Sequence, residues 1–528
     1  MAGVPSGPSA EVGLDARLDA SFDAELVQSV PSSGDGSLRR KIGRVAYASA
    51  FALILGELVT LAQVVALARL LSPTEVGIFT AGSVLTISLY DFVEGGLRAA
   101  LVQRGGDIED AAETVFRATL VSGALMCVGV LAAAPVIGMI FDDRAAGLVA
   151  AATSGSLLLF ALTNVPEAML QREFSVRRRI VVGPAVSITF AAVAVTLAAC
   201  GWGVWSMVAG SYASTVVWVV CVWWISGWRP RAGRFDYKLW RELARFGSPL
   251  VAAQVGYRIK GIAEAVIVGR SLGAAELGQY RYAQRISQIP EKGIVEVGAI
   301  ALFPAFSRIA EDKERTRGAY LRALRWAMIG GAPLTALMIA LGEPAVVIVL
   351  GEPWRHAGHA VAAMAGIGIG RALAVVGEEA IKGAGRTPLL NWCTAAEVSV
   401  GIILALVLVG PLGLMGVGLA ISTTTIVVAL ITAKLARSVV DAPYRSVLAA
   451  IVPPIVAAAA AGAATLYLER ATVHSASHAG LAGVGFLLLE LLFFVAIYFA
   501  TLFALTPTSM RQLCAVALQR ARQAVDRS

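Results

Sequence analysis

Arg281, Arg285, Gln288, Lys292 and Glu296 stand at i, i+4, i+7, i+11 and i+15 along one apolar stretch. On an α-helix that spacing draws a single polar stripe down one face. Other apolar stretches are interrupted in the same way. One holds Glu57, another Asp91, Glu94 and Arg98 at i, i+3 and i+7, a third Arg258, Lys260 and Glu264, and a fourth Arg371. At membrane depth each ionisable group costs roughly 2.5–3.5 kcal/mol on insertion scales, so it faces an aqueous cavity or a partner. A guanidinium fork matches two phosphate oxygens at once. Arg98, Arg258, Lys260, Arg281, Arg285, Lys292 and Arg371 are therefore expected to line a cavity for a phosphate-bearing or polyanionic cargo. Glu57, Asp91 and Glu94 are the candidates for binding a coupling cation. The competing reading is that acidic and basic groups pair across a sealed interface. Three cations on the one stripe exceed what one neighbouring carboxylate neutralises, which favours the cavity.

The elements that must position these groups are membrane helices. Of 528 residues 57% are hydrophobic and 15% charged, with mean hydropathy +0.73. A soluble chain carries nearer a quarter charged residues. Fourteen apolar segments follow one another at roughly 45–68, 78–101, 115–140, 146–170, 180–200, 204–226, 246–269, 280–304, 320–341, 361–381, 389–410, 413–433, 446–468 and 481–505. Each is near the length that spans a bilayer as a helix, and none shows the short alternation of barrel strands. Thirty-one of the 44 Lys and Arg fall in loops on one side, and the opposite loops hold five, Arg69, Arg144, Arg270, Arg355 and Arg470. That split puts both termini in the cytoplasm and accounts for the +8 charge without nucleic acid. No loop is long enough to be a separate catalytic domain.

A short pattern occurs twice. Residues 69–79 read RLLSPTEVGIF and residues 270–280 read RSLGAAELGQY, 201 positions on. Gly201-Trp202-Gly203 and Pro411-Leu412-Gly413, then Glu167 and Glu378, continue the correspondence at offsets of 210 and 211. Helices 1–6 thus match helices 7–12 in the same orientation, a parallel repeat with its axis along the membrane normal. The shift carries Glu57 onto Arg258 and Asp91 onto Lys292, so acidic positions in one lobe answer basic ones in the other. The expected division is a disordered tail 1–37, a first lobe 38–226, a basic linker 227–245, a second lobe 246–436, two added helices in 437–505 and a basic tail 506–528. The motif itself reads as a structural turn, with Arg69 and Arg270 at the outer interface. Pro249 and Pro290 lie inside helices and read equally as hinges or as static kinks.

Several chemistries find no support. The five cysteines form no CxxC, His356 with His359 and His474 with His478 lack a third ligand, and no GxxxxGK[ST] occurs. No metal and no cofactor are expected, and the chain is not expected to be an enzyme.

Ala68-Arg69-Leu70-Leu71-Ser72-Pro73-Thr74-Glu75-Val76-Gly77-Ile78-Phe79, with Glu94-Gly95-Gly96-Leu97-Arg98-Ala99-Ala100-Leu101-Val102-Gln103-Arg104 after it, resembles the first helical hairpin of bacterial oligosaccharide flippases. These are the Wzx/WzxC-like polysaccharide transporters of the multidrug/oligosaccharidyl-lipid/polysaccharide (MOP) exporter superfamily. The resemblance covers about residues 40–505. It implies an all-α, fourteen-helix, two-lobed fold with a central cavity in the bacterial inner membrane. It also implies a cargo of polyprenyl diphosphate-linked oligosaccharide, moved by alternating access for exopolysaccharide, O-antigen or capsule synthesis. A polysaccharide polymerase and export machinery are the implied partners, besides membrane lipid. A drug or cation antiporter of the same superfamily and a membrane enzyme of glycan assembly are the alternatives. The antiporter fits less well, having twelve helices and an acidic, aromatic cavity. The enzyme would need an acid–base pair or a large outer loop.

Overall fold

The computed structural model describes residues 56, 58–105, 108–173, 178–230, 235–478 and 480–507, without the side chains of 178–179, 249–250, 253, 290–301 and 481. All of them belong to one compact unit, Ala52–Ser528. The tails 1–37 and 508–528, and Glu57, lie outside the described residues.

Helix follows helix throughout. After α1 (Leu58–Leu70) come α2 (Pro73–Glu94) and α3 (Leu97–Gln103). The first copy of the repeated motif starts α2. Glu75 N–H donates to Ser72 Oγ at 3.3 Å and Ser72 N–H donates to the Glu75 carboxylate at 2.7 Å, with Pro73 in the first turn. This capping box satisfies donors that a helix start leaves open. The second copy has Gly273 in place of the serine and no side-chain cap, which frees Glu276 for another contact. Gly95 and Gly96 end α2 at φ 59° and 68°, the left-handed region that turns the chain into α3.

The chain continues through α4 (Glu109–Phe141), three short helices α5 (Arg144–Ser154), α6 (Ser156–Ala161) and α7 (Asn164–Arg172), then α8 (Gly183–Ala199) and α9 (Val204–Ser226). Two 36-residue helices follow, α10 (Tyr237–Leu272) and α11 (Ala274–Ile309). Both run unbroken past Pro249 and Pro290. Next come α12 (Lys313–Leu350), α13 (Arg355–Ala363) and α14 (Gly366–Gly383). A 51-residue helix, α15 (Leu390–Val440), contains one non-helical residue, Gly413 at φ 56° and ψ −138°. The break falls at the boundary expected between the segments 389–410 and 413–433. Two 25-residue helices, α16 (Tyr444–Leu468) and α17 (Leu481–Leu505), close the chain.

Among the described residues nine helices are long and apolar enough to cross a membrane. There are ten if Glu352–Ala363 and Gly366–Gly383, bent by 41°, count as one span. Helices α10 and α11 reach about 54 Å at 1.5 Å per residue, yet stand outside that set because of their charges. Leu125, Met139, Trp224, Tyr467 and Leu492 are about two-thirds or more exposed. Apolar exposure on that scale suits lipid, not water. The chain is an all-helical polytopic membrane protein. Its largest core gathers where the motif copies meet, with Leu67, Leu71, Val76, Leu277 and Tyr280 around the buried Trp354.

Candidate functional site

A cavity of about 470 Å³ lies between α1, α2, α10, α11, α14 and α15. Each of these helices carries a polar residue onto the wall at helical spacing. Helix α10 contributes Arg258, Lys260 and Glu264, α11 contributes Arg281, Gln284, Arg285 and Gln288, α14 contributes Arg371, and α15 contributes Glu397. Gln63 and Ser83 come from α1 and α2. Five of the seven cations expected from the sequence therefore converge on one space.

Arg98 is not on that wall. Arg98 stands on α3, beyond the left-handed Gly95–Gly96 turn, and pairs with Glu94 at 2.6 Å. The turn interrupts the face that Asp91, Glu94 and Arg98 would share on an unbroken helix. The side chain of Lys292 is outside the described set, as is Glu57.

The pairing of acidic and basic groups that the competing reading expects is seen between Asp91 and Arg258. Arg258 donates from Nε and Nη2 to Asp91 Oδ2, each at 2.6 Å, joining α10 to α2. The repeat alignment instead matched Asp91 with Lys292. Structural equivalence puts residues at like positions, whereas contact requires them to face each other.

A second network has no counterpart among the sequence expectations. Lys260 Nζ donates to Glu397 Oε1 at 2.9 Å and lies 3.9 Å from Glu264. Tyr280 Oη donates to Glu264 at 2.8 Å, Gln284 donates to Tyr280 Oη at 3.2 Å, and Arg281 donates to Gln284 Oε1 at 3.0 Å. The chain of bonds ties the first turns of α11 to Glu264 on α10 and fixes Arg281 in direction. Glu397 was visible as the lone carboxylate of the apolar run 389–410. Gln284 was visible as one helical turn from Arg281 and Gln288.

Chemically the wall carries a surplus of cationic side chains. Arginines and one lysine outnumber the carboxylates Glu264, Glu397 and Asp91, in a space walled largely by protein, where electrostatics act through a lower dielectric than water. No group of three or more His, Cys, Asp or Glu suited to a metal occurs among the described residues.

Residues 66–358 match the model of a family described as "Polysaccharide biosynthesis protein". The chain belongs to this family. Within it, the chain is 27% identical over 293 residues to the succinoglycan biosynthesis transport protein ExoT of Rhizobium meliloti, covering 55% of this chain and 59% of ExoT. It is 22% identical over 321 residues to the teichuronic acid biosynthesis protein TuaB of Bacillus subtilis, covering 60% and 66%. It is 23% identical over 341 residues to the lipopolysaccharide biosynthesis protein WzxC of Escherichia coli, covering 60% and 65%. The match spans just under two thirds of each relative's length, or less. Among solved structures, the lipid II flippase MurJ in an inward closed conformation superposes with TM-score 0.69 at 16% identity, over 88% of this chain and 99% of that one. An inward-facing multidrug resistance MATE family transporter of the MOP superfamily superposes with TM-score 0.60 at 18% identity, over 73% and 94%. These two likenesses show a MOP-type fold. The names of ExoT, MurJ and the MATE protein are those of transporters, not enzymes.

Proposed function

We propose that this protein flips polyprenyl diphosphate-linked oligosaccharide units across the bacterial inner membrane for surface polysaccharide synthesis. The observation that carries this reading is the convergence of Arg258, Lys260, Arg281, Arg285 and Arg371 on one cavity. Guanidinium groups bind diphosphate oxygens in pairs, whereas a cationic drug would be repelled by the same wall. The family description and the names of ExoT and WzxC support a cargo that belongs to polysaccharide synthesis.

In this reading the chain crosses the membrane fourteen times, with both termini in the cytoplasm. The kinked α15 counts as two spans, and α10 and α11 count because Arg258, Lys260, Glu264, Arg281 and Arg285, which interrupt their apolar runs, line the cavity. Helices 1–6 and 7–12 form the two lobes, and α16 and α17 are the addition. Asp91 serves as the internal counter-ion of Arg258. An arriving diphosphate competes with Asp91 for that guanidinium and so links cargo binding to the contact between α2 and α10.

Charge-assisted hydrogen bonds are worth about 1.5–3 kcal/mol each. Arg281→Ala and Arg285→Ala are therefore expected to lower polysaccharide export roughly ten- to a hundredfold, with membrane levels of the protein unchanged. Arg285→Lys keeps the charge but loses the fork, and it is expected to fall between. Export is read from cell-surface polysaccharide in a strain lacking the native gene. Normal export from both alanine variants would remove the cavity from the mechanism.

A further inference from the structure

The repeated motif reaches the cavity wall at Val76, Phe79 and Tyr280, and the structure also sets its two copies against each other. A Cβ built on Gly77 would overlap the carbonyl of Ala274, and one built on Gly278 would overlap the carbonyl of Pro73. Each would also come within 3.0 Å of the other glycine's backbone nitrogen. Pro73 and Ala274 are equivalent positions 201 residues apart, as are Gly77 and Gly278. The contact is therefore reciprocal, as a local two-fold relation demands.

Both copies and Ala68 beside the first are also bonded to the end of α12, the turn after it and the start of α13. Arg69 donates to the carbonyls of Ile348 and Val349 at 2.6 and 3.1 Å, and the buried Trp354 donates to Ala68 O at 2.7 Å. Gln279 donates to Pro353 O at 2.6 Å and accepts from Ala357 N–H at 2.9 Å. Glu276, free of any capping role, meets His356 at 2.7 Å.

A second contact between backbones lies beyond the other end of α2. A Cβ on Gly247 of α10 would stand 2.6 Å from Gly95 O, and one on Gly96 would overlap the Gly247 carbonyl. The cavity wall on α2 uses residues from Val76 to Ser88, between these two contacts. On α10 it begins at Tyr257, ten residues or about 15 Å past Gly247.

We infer that the Gly77–Gly278 contact is the outer gate of the transporter and the Gly96–Gly247 contact the inner one, each closed by backbone lying on backbone. The inference rests on the transporter reading and its orientation, since "outer" and "inner" are defined there. Gly77, Gly278 and Gly247 have ordinary helical backbones, so alanine favours the local helix at each. Its only cost is to the contact, which it wedges apart.

The test places a Thr80→Cys reporter on the cavity wall, in a full-length chain whose five native cysteines are replaced by serine or alanine. Labelling by a membrane-impermeant maleimide is then compared from each side of the membrane. Gly77→Ala and Gly278→Ala are expected to raise labelling from outside several-fold, and Gly247→Ala to raise it from inside. Gly82→Ala is the control. Its Cβ would press 2.6 Å from Val149 and 2.7 Å from Ala146 O, both away from the gate, and it should change neither side. If the gate alanines fail to insert, Trp354→Phe removes the bond to Ala68 alone and should give a smaller rise from outside. Parental labelling in the inserted gate variants, the same rise with Gly82→Ala, or parental labelling with Trp354→Phe where only it inserts overturns the inference. No glycan enters this measurement, so the gates and the cargo assignment can fail separately.

Discussion

Lys260 is one cation between two carboxylates, and its side chain and that of Glu397 are 15% and 16% exposed. Removing one partner of a mostly buried pair costs about 3–5 kcal/mol, because the other charge is left without compensation. Lys260→Met is therefore expected to lower thermal stability in detergent by roughly that much. Adding Glu397→Leu should recover a large part of the loss, since Glu264 keeps the Tyr280 hydroxyl as donor. A double variant no more stable than the single would deny the coupling. The positions of Lys260, Arg281 and Arg285 were legible in the sequence because an ionisable group inside an apolar run needs a reason to be there. Their partners were not. Glu397 lies 137 residues from Lys260, and Asp91 lies 167 residues from Arg258. No local spacing encodes such contacts, and the repeat alignment pointed to equivalents rather than neighbours.

Among the elements, α15 shows what one glycine does to a long helix. Gly413 holds φ 56° and ψ −138°, a region closed to residues with a Cβ, although open space surrounds the position. Gly413→Ala is expected to cost about 1–3 kcal/mol through backbone strain alone. Gly410→Ala, in the same helix and equally open, should be neutral or stabilising by up to about 1 kcal/mol. Thermal unfolding of the two variants side by side checks the contrast, and equal effects would refute it. This break was readable from Pro411-Leu412-Gly413 between two apolar runs. The Gly95–Gly96 break was not read as one, and Arg98 was consequently expected on the cavity wall. Apolarity alone leaves α10 and α11 out of the candidate spans, because Arg258, Lys260, Arg281 and Arg285, which line the cavity, interrupt them.

For the whole molecule, the two motif copies, 201 positions apart in the sequence, meet in the reciprocal Gly77–Gly278 contact. Positions that correspond between the two halves of the sequence are here positions that touch. Between that contact and Gly96–Gly247 lies a wall on which Arg258, Lys260, Arg281, Arg285 and Arg371 gather. A flippase needs a receptor for the charged head of its cargo and a seal on either side of it. The central claim is that the diphosphate is what this protein recognises. It is tested most directly in proteoliposomes, by comparing transbilayer transfer of a fluorescent polyprenyl diphosphate sugar with that of the same sugar on an uncharged polyprenyl carrier. The account predicts protein-dependent transfer of the diphosphate lipid alone, lost with Arg281→Ala and Arg285→Ala combined. Equal transfer of both lipids, or transfer that survives the double substitution, would contradict it.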